Sequence, residues 1–335
     1  MIDKVQIVNV LLTRKCNLRC SYCKIVRDIP EVPSYPTIDY YNRNELKPEQ
    51  WIEIIKRIVK NNRNVFFIFY GGEPFLYKGL SDILIYCNDN KVNYTIISNN
   101  TDSIQTIIYD TYHKVKKFSG FTSSVDPIIV SDLPEDSDIK KKSKSGFERL
   151  SQIKKSGMSD DVVAEITVTR STILYLYKLV KMLSDNGIYS SITTLDIQKN
   201  KYYDFSTVTD SNELVEQCPE IRSEFDKILK DKSLLIHIPE VLDRLYRDLP
   251  SNMKCSIFNN VHNMTIDSDG SFRLCLRIRG HLAPNLCLDN VIDSEGVIQK
   301  QFKQKLLIDY NNFCEGCNWT CIYFSNYYSD QIINH

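Results

Sequence analysis

The stretch Val5 to Leu12, VQIVNVLL, runs straight into Thr13 to Cys23, TRKCNLRCSYC. The first part is an apolar run of strand length. The second sets Cys16, Cys20 and Cys23 in the spacing C-x3-C-x2-C, a compact loop offering three thiolates. Three thiolates suit an iron-sulfur cluster with one iron left open better than a closed four-ligand zinc site. An iron left open binds something else.

A second signal follows the apolar segment Val65 to Tyr70, where Tyr70 leads into Gly71, Gly72, Glu73 and Pro74. Glycines at the end of a strand let a ligand approach the backbone, and a carboxylate beside them can hold a cationic amine. Gly-Gly alone reads as an ordinary strand-to-helix turn. Behind a cysteine loop and a second strand, the turn instead resembles the GGEP motif of the radical S-adenosylmethionine (radical SAM) enzymes. In that superfamily three cysteines hold a [4Fe-4S] cluster, and an aromatic residue, here Tyr22, commonly precedes the third. The resemblance implies that the GGEP turn gathers the amino group of the methionine moiety.

Composition bounds the rest. The chain has 335 residues, 42% of them apolar, enough for about two domains with a sizeable core. Lys plus Arg equals Asp plus Glu at 42 each, so no overall field favours nucleic acid or an anionic membrane. No apolar run approaches transmembrane length and no signal peptide is evident, so a cytoplasmic protein is expected. The 11 cysteines cluster toward the two ends, which points to metal ligation and not to disulfide staples.

Between Val5 and Gln198 strand-like and helix-like segments alternate. Strands are expected at Val5 to Leu12, Val65 to Tyr70, Tyr94 to Ser98, Phe118 to Asp126, Val162 to Thr169 and Ile188 to Ile197. Helices carry Trp51, Ile55, Ile58 and Val59, then Leu80, Ile83, Leu84 and Cys87, at a spacing near 3.6. Ser145 to Glu148 reads as a capping box for a helix with Phe147, Leu150 and Ile153 that ends at Gly157. Another, with Leu176, Leu179, Val180 and Leu183, stops at Gly187. Right-handed crossovers curl six such units into an α/β fold, a partial (β/α)6 TIM-type barrel with its chemistry at the strands' carboxyl ends.

The resemblance extends along this half. Ser124 to Asp126 looks like the family's Ser-x-Asp strand end, whose serine contacts the cofactor carboxylate, and Ser98 and Asn99 sit where ribose contacts often lie. Pro127 stands where the family often has Gly. The basic residue that commonly holds the carboxylate is usually Arg, whereas this chain offers Lys140, Lys141, Lys142 and Lys144 in a run that also reads as a solvated loop.

Residues 199–249 read as a helical bridge, with Ile221, Phe225, Ile228 and Leu229 on one face and Val241, Leu242 and Leu245 on another. Cys218 and His237 in it read as structural. The carboxyl-terminal unit, 250–335, opens with a β-hairpin turning at Asp269 and Gly270. Asp267 and Asp269 lack the glycine position and distal glutamate of a calcium loop and read as turn residues. Cys255, Cys275, Cys314, Cys317 and Cys321, with Cys287 between, resemble in their ordering the SPASM and shorter twitch extensions of radical SAM enzymes, a hairpin plus helix holding auxiliary [4Fe-4S] clusters. Six cysteines are too few for two four-thiolate clusters, so one auxiliary cluster is expected. Cys255 and Cys275 join two of Cys314, Cys317 and Cys321, with Cys287 spare. A structural zinc would use the same geometry.

The resemblance implies reductive cleavage of S-adenosylmethionine, a reductant such as flavodoxin or ferredoxin, and removal of a hydrogen atom from a substrate C-H bond. An electron-accepting auxiliary cluster gives oxidation; a thiol that returns hydrogen, Cys287 or Cys218, gives epimerisation. The expected substrate is a peptide or protein. Only fifteen residues precede Cys16, so a preceding peptide-recognition domain is not expected, and a sugar, nucleotide or amino-acid derivative is the rival. Val26 to Glu45 reads as a long loop that covers the active site or a plain insertion. Outside the enzyme class stand a zinc-binding interaction module and an iron-sulfur electron carrier.

Overall fold

The computed structural model describes residues 7–20, 23, 25–28, 36–60, 62–132, 134, 138–194, 196–197, 207–208, 220–237, 239–240, 242 and 263–273. Strands and helices alternate as β1 (Ile7–Leu11), α1 (Ile38–Arg43), α2 (Pro48–Val59), β2 (Phe66–Tyr70), α3 (Leu80–Asp89), β3 (Asn93–Ser98), α4 (Gln105–Val115), β4 (Phe118–Ser124), α5 (Asp138–Lys155), β5 (Ser159–Val168), α6 (Leu176–Asp185) and β6 (Tyr189–Thr194). A short pair, β7 (Asp196–Ile197) and β8 (Thr207–Val208), then α7 (Glu220–Lys230), β9 (Asn263–Ile266) and β10 (Phe272–Arg273) follow.

The six expected strands pair in parallel in chain order. A seventh parallel strand, β9, lies on the other side of β1, with Ile7 opposite Asn263 and Val10 opposite Ile266, and β10 closes that edge antiparallel. The result is a curled α/β half-barrel, the architecture expected for the first half of the chain. The hairpin read as the opening of the carboxyl-terminal unit is part of this main sheet. Its pattern explains why: Met264 and Ile266 are buried on the helix-facing side and Thr265 is buried on the other, and burial on both faces is the condition of an inner parallel strand.

Alternation assigns the two faces. Val8, Val10, Phe67, Phe69, Ile96 and Ile166 point to the helices and form one core with Trp51, Ile55, Leu80 and Ile83. Full burial of each such side chain contributes roughly 1.5–3 kcal/mol. On the opposite face Leu11 and Tyr70, with Ile97, pack against Ile25, Val26, Cys16 and Cys23. The cysteine loop therefore folds back over the apolar end of β1 to β3.

Several boundaries differ from the sequence reading. The helix read from the Ser145 box starts at Asp138, because the lysine-rich run ahead of the box contains no breaker and propagates the helix backward. Gly157 (φ +68) and Gly187 (φ +69) end α5 and α6 as expected. The segment read as a long loop contains α1, started by Thr37, whose hydroxyl accepts from the Tyr40 N–H, and anchored by buried Tyr41. After β4, Asp126 accepts from the Ile128 N–H at 3.0 Å and opens a short 3-10 turn, Pro127–Val130. Pro127 thus sits in a first turn, where its missing N–H is not needed.

Candidate active site

Three backbone hydrogen bonds carry β1 beyond its end. Leu12 N–H donates to Tyr70 O at 2.8 Å, Gly72 N–H to Thr13 O at 2.7 Å and Glu73 N–H to Lys15 O at 2.7 Å. The glycines are required by this contact. A Cβ on Gly71 would stand 2.4 Å from Thr13 O, and one on Gly72 would stand 2.2 Å from Lys15 O. The close approach expected of a ligand is thus made by the chain itself, and it fixes the entry to the cysteine loop against the end of β2.

Cys16, Cys20 and Cys23 form no disulfide and are partly exposed, with Cys23 N–H turning back to Cys20 O at 3.1 Å. Leu18 N–H at 3.3 Å and Asn99 Nδ2 at 3.7 Å donate to Cys16 Sγ. Burial pushes the Cys16 thiol up, the Leu18 N–H pulls it down, the charges of Glu73 and Cys20 push it up, and Asn99 pulls it down. Asn17 extends the network: its Oδ1 accepts from Asn99 at 2.8 Å, and its Nδ2 donates to Thr101 at 2.6 Å and to Ser103 at 2.7 Å. Asn99, expected near a ribose, is held against the cysteine loop. Among the described residues no three His, Cys, Asp or Glu side chains form a group that could hold a metal ion. The donor set fits a cluster through its chemistry: three soft thiols in one loop, with N–H donors aimed at a sulfur that would carry negative charge.

Glu73 is fully buried. Its carboxylate accepts from Phe75 N–H at 3.2 Å, Ser98 Oγ at 3.0 Å and Asn99 N–H at 2.8 Å. Burial pushes its pKa up to about 7 against these three bonds, and no cation among the described residues offsets the desolvation. A buried carboxylate without a counter-charge fits a cationic ligand group such as an ammonium. Ser98, expected at the ribose, is bonded to Glu73 and accepts from Asn100 N–H at 3.0 Å. Pro74 is buried and opens a 3-10 turn that Glu73 caps.

Ser124 is exposed at the end of β4, in register with Glu165 on β5, which is in register with Ser191 on β6. Lys144 is exposed on α5. Arg149, which sequence reading passed over, reaches from the same helix to donate to Asn100 O at 2.6 Å and to pair with Asp102. Glu165 was also missed. It stands half-buried on the face opposite the helices, accepts from the Thr193 hydroxyl and has its pKa raised by burial, against the hydroxyls of Thr193 and Ser191. A carboxylate at an alternating position of a strand was the available signal. Asp267 was read as a turn residue; it also forms a buried ion pair with Arg14 at 2.6 Å. His237 N–H donates to Ser190 O at 2.9 Å and burial lowers its pKa. Tyr22, Cys218, Cys255, Cys275, Cys287, Cys314, Cys317 and Cys321 lie outside the described residues, as do the side chains of Lys140, Lys141 and Lys142.

The sequence profile of the Radical SAM superfamily matches residues 10–195. Over 316 residues the chain is 24% identical to GTP 3',8-cyclase of Helicobacter pylori strain J99, covering 89% of this chain and 86% of that one. Over 92 residues it is 30% identical to an S-adenosylmethionine-dependent nucleotide dehydratase of Selenomonas ruminantium, 28% of this chain and 29% of that one. Streptococcus suis SuiB bound to precursor peptide SuiA superposes with a TM-score of 0.54 at 17% identity, covering 92% of this chain but 64% of SuiB. Native anSMEcpe with bound AdoMet superposes with a TM-score of 0.52 at 16% identity, covering 90% and 83%. At these identities the structural likeness establishes the fold. No helix among the described residues is long and apolar enough to cross a membrane.

Proposed function

This chain belongs to the Radical SAM superfamily, and from that premise we propose that it cleaves S-adenosylmethionine reductively and removes a hydrogen atom from a substrate C-H bond. The observation that carries the reading is the pairing of a three-cysteine loop with a buried carboxylate that has no counter-cation among the described residues, joined by Asn99. When bound, the [4Fe-4S] cluster supplies the electron that splits the sulfonium C-S bond to methionine and a 5'-deoxyadenosyl radical.

Cys16, Cys20 and Cys23 would hold that cluster. Glu73 would neutralise the methionine ammonium while Ser98, Asn99 N–H and Phe75 N–H keep its carboxylate in place. Ser124 would face the cofactor carboxylate, and Tyr22 and Pro74 would complete the pocket whose backbone Gly71 and Gly72 set. Cys255 and Cys275 with two of Cys314, Cys317 and Cys321 would hold an auxiliary cluster that takes up the substrate electron.

The cysteine order of the tail supports a peptide or protein substrate. A nucleotide is the second reading, supported by the similarity to the GTP 3',8-cyclase along 89% of the chain. Anaerobic reconstitution, reduction with dithionite and incubation with S-adenosylmethionine should give 5'-deoxyadenosine, and the Cys16/Cys20/Cys23→Ala variant should give none. Persistent cleavage in that variant rejects the assignment. Mass spectrometry of parallel incubations with GTP and with a cellular peptide pool separates the two substrate readings.

A further inference from the structure

Arg14 lies two residues before Cys16, and its side chain is fully buried. Among the described residues the guanidinium meets Ile25, Asp267 and Tyr41. Nη1 donates to Ile25 O at 2.9 Å, two residues beyond Cys23. Nε and Nη2 donate to Asp267 Oδ1 at 3.3 Å and Oδ2 at 2.6 Å. Its central carbon stands 4.1 Å from the centroid of the Tyr41 ring. One planar group therefore touches the start of the cysteine loop, the end of that loop and the β9–β10 hairpin.

Asp267 is itself anchored. Its N–H donates to Ser271 O at 2.8 Å, its carbonyl accepts from Gly270 N–H at 2.8 Å, and its Oδ1 accepts from Ser268 N–H at 2.7 Å. The next residue of the turn is tied outward, Leu46 N–H donating to Ser268 O at 2.7 Å. The carboxylate is a fixed post, not a mobile surface charge.

We propose that Arg14 is a positioning residue of the cysteine loop, clasping its two ends together in a place that Asp267 of the distant hairpin dictates. A buried ion pair is weak evidence for stability, because desolvation offsets its attraction. What this one supplies is geometry: a guanidinium offers five donors in a rigid plane and cannot lose its proton, whereas a lysine meets such partners only as a point charge. Closing residues 14 to 25 before any ligand arrives removes conformations in which the three thiols point apart, the usual route by which a site is preorganised. The idea rests on the reading that this loop holds a cluster, but the clasp is a property of the protein without one.

The test uses full-length protein carrying Arg14→Lys, Asp267→Asn, or Arg14→Met with Asp267→Leu, the last leaving neither charge buried alone. Amide hydrogen exchange across residues 15–25 is measured on the cluster-free protein, with thermal unfolding as the check on the global fold. Iron retention and the electron paramagnetic resonance spectrum of the reduced cluster, without S-adenosylmethionine, follow on reconstituted samples. A folded double variant should lose loop protection at least tenfold, retain less iron and broaden the spectrum, with Arg14→Lys intermediate. Wild-type exchange, iron and spectrum in a folded double variant overturn the proposal. Should that variant not fold, Arg14→Lys decides, and wild-type exchange in its loop overturns it equally. If wild-type protein takes up no cluster while the variants lose loop protection, the cluster reading fails and the clasp stands.

Discussion

Replacing Glu73 by Gln changes one charge and almost no volume, and its effects separate into two measurable parts. The carboxylate accepts from two backbone N–H groups and one hydroxyl. A glutamine keeps one accepting oxygen and turns an NH2 toward a group that also donates. Leaving one buried donor unsatisfied costs about 1–3 kcal/mol, so the cluster-free protein should unfold at a lower temperature. The second part is cofactor affinity. A charge-assisted hydrogen bond to the methionine ammonium is worth about 1.5–3 kcal/mol, so its loss should weaken S-adenosylmethionine binding by roughly ten- to a hundredfold. Isothermal titration of reconstituted protein measures this directly. Ser98→Ala is the control: it removes one donor to Glu73 and keeps the charge, so it should lower stability while leaving affinity within about threefold. An unchanged dissociation constant in Glu73→Gln, with cluster content intact, would refute the ammonium role and leave Glu73 as the knot between β2 and β3.

Three further outcomes are expected. Gly72→Ala places a Cβ 2.2 Å from the backbone oxygen of Lys15, which no side-chain rotation relieves, so the melting temperature should fall by more than Ser98→Ala causes; equal melting temperatures would show that the turn can move. Burial raises the pKa of Glu165, so its stabilising effect is complete below the unfolded-state value near 4.5 and is lost as pH rises through the folded value. Wild-type protein should therefore lose stability relative to Glu165→Gln as pH is raised in thermal melts, and parallel pH profiles would refute the assignment. Replacing Cys255 and Cys275 by Ala should preserve 5'-deoxyadenosine formation in a variant shown to be folded, and abolish the oxidised product; full product from that variant would make the auxiliary site structural and favour a redox-neutral reaction.

The half-barrel was legible because each strand announces itself locally. Apolar runs such as Val65 to Tyr70 and helix faces such as Leu176, Leu179, Val180 and Leu183 carry their own periodicity, and Gly157 and Gly187 mark helix ends through φ values that favour glycine. The cysteine spacing and the GGEP turn were legible for the same reason. What the sequence concealed is long-range. Nothing near Asp267 states that its carboxylate meets Arg14, since a turn aspartate and a buried ion-pair aspartate look alike in one dimension. The roles of Ser98 and Asn99 as supports of Glu73 and Cys16 depend on the register between β2 and β3. Helix α5 began earlier than its capping box because local capping signals compete with propagation from an upstream helix-prone run.

The pairing of β1 with β9 also orders events in time. Asn9 Nδ2 donates to Met264 O at 3.4 Å across 255 positions, and Arg14 meets Asp267 across 253. While the chain is being made, β1 has one bare edge until the segment near residue 263 follows, and loop-closure entropy makes so distant a contact a late one. The region around Cys16 therefore reaches its final shape only after the β9 segment has been made. Any shortened product that stops before β9 carries the cysteine loop beside an open, adhesive sheet edge.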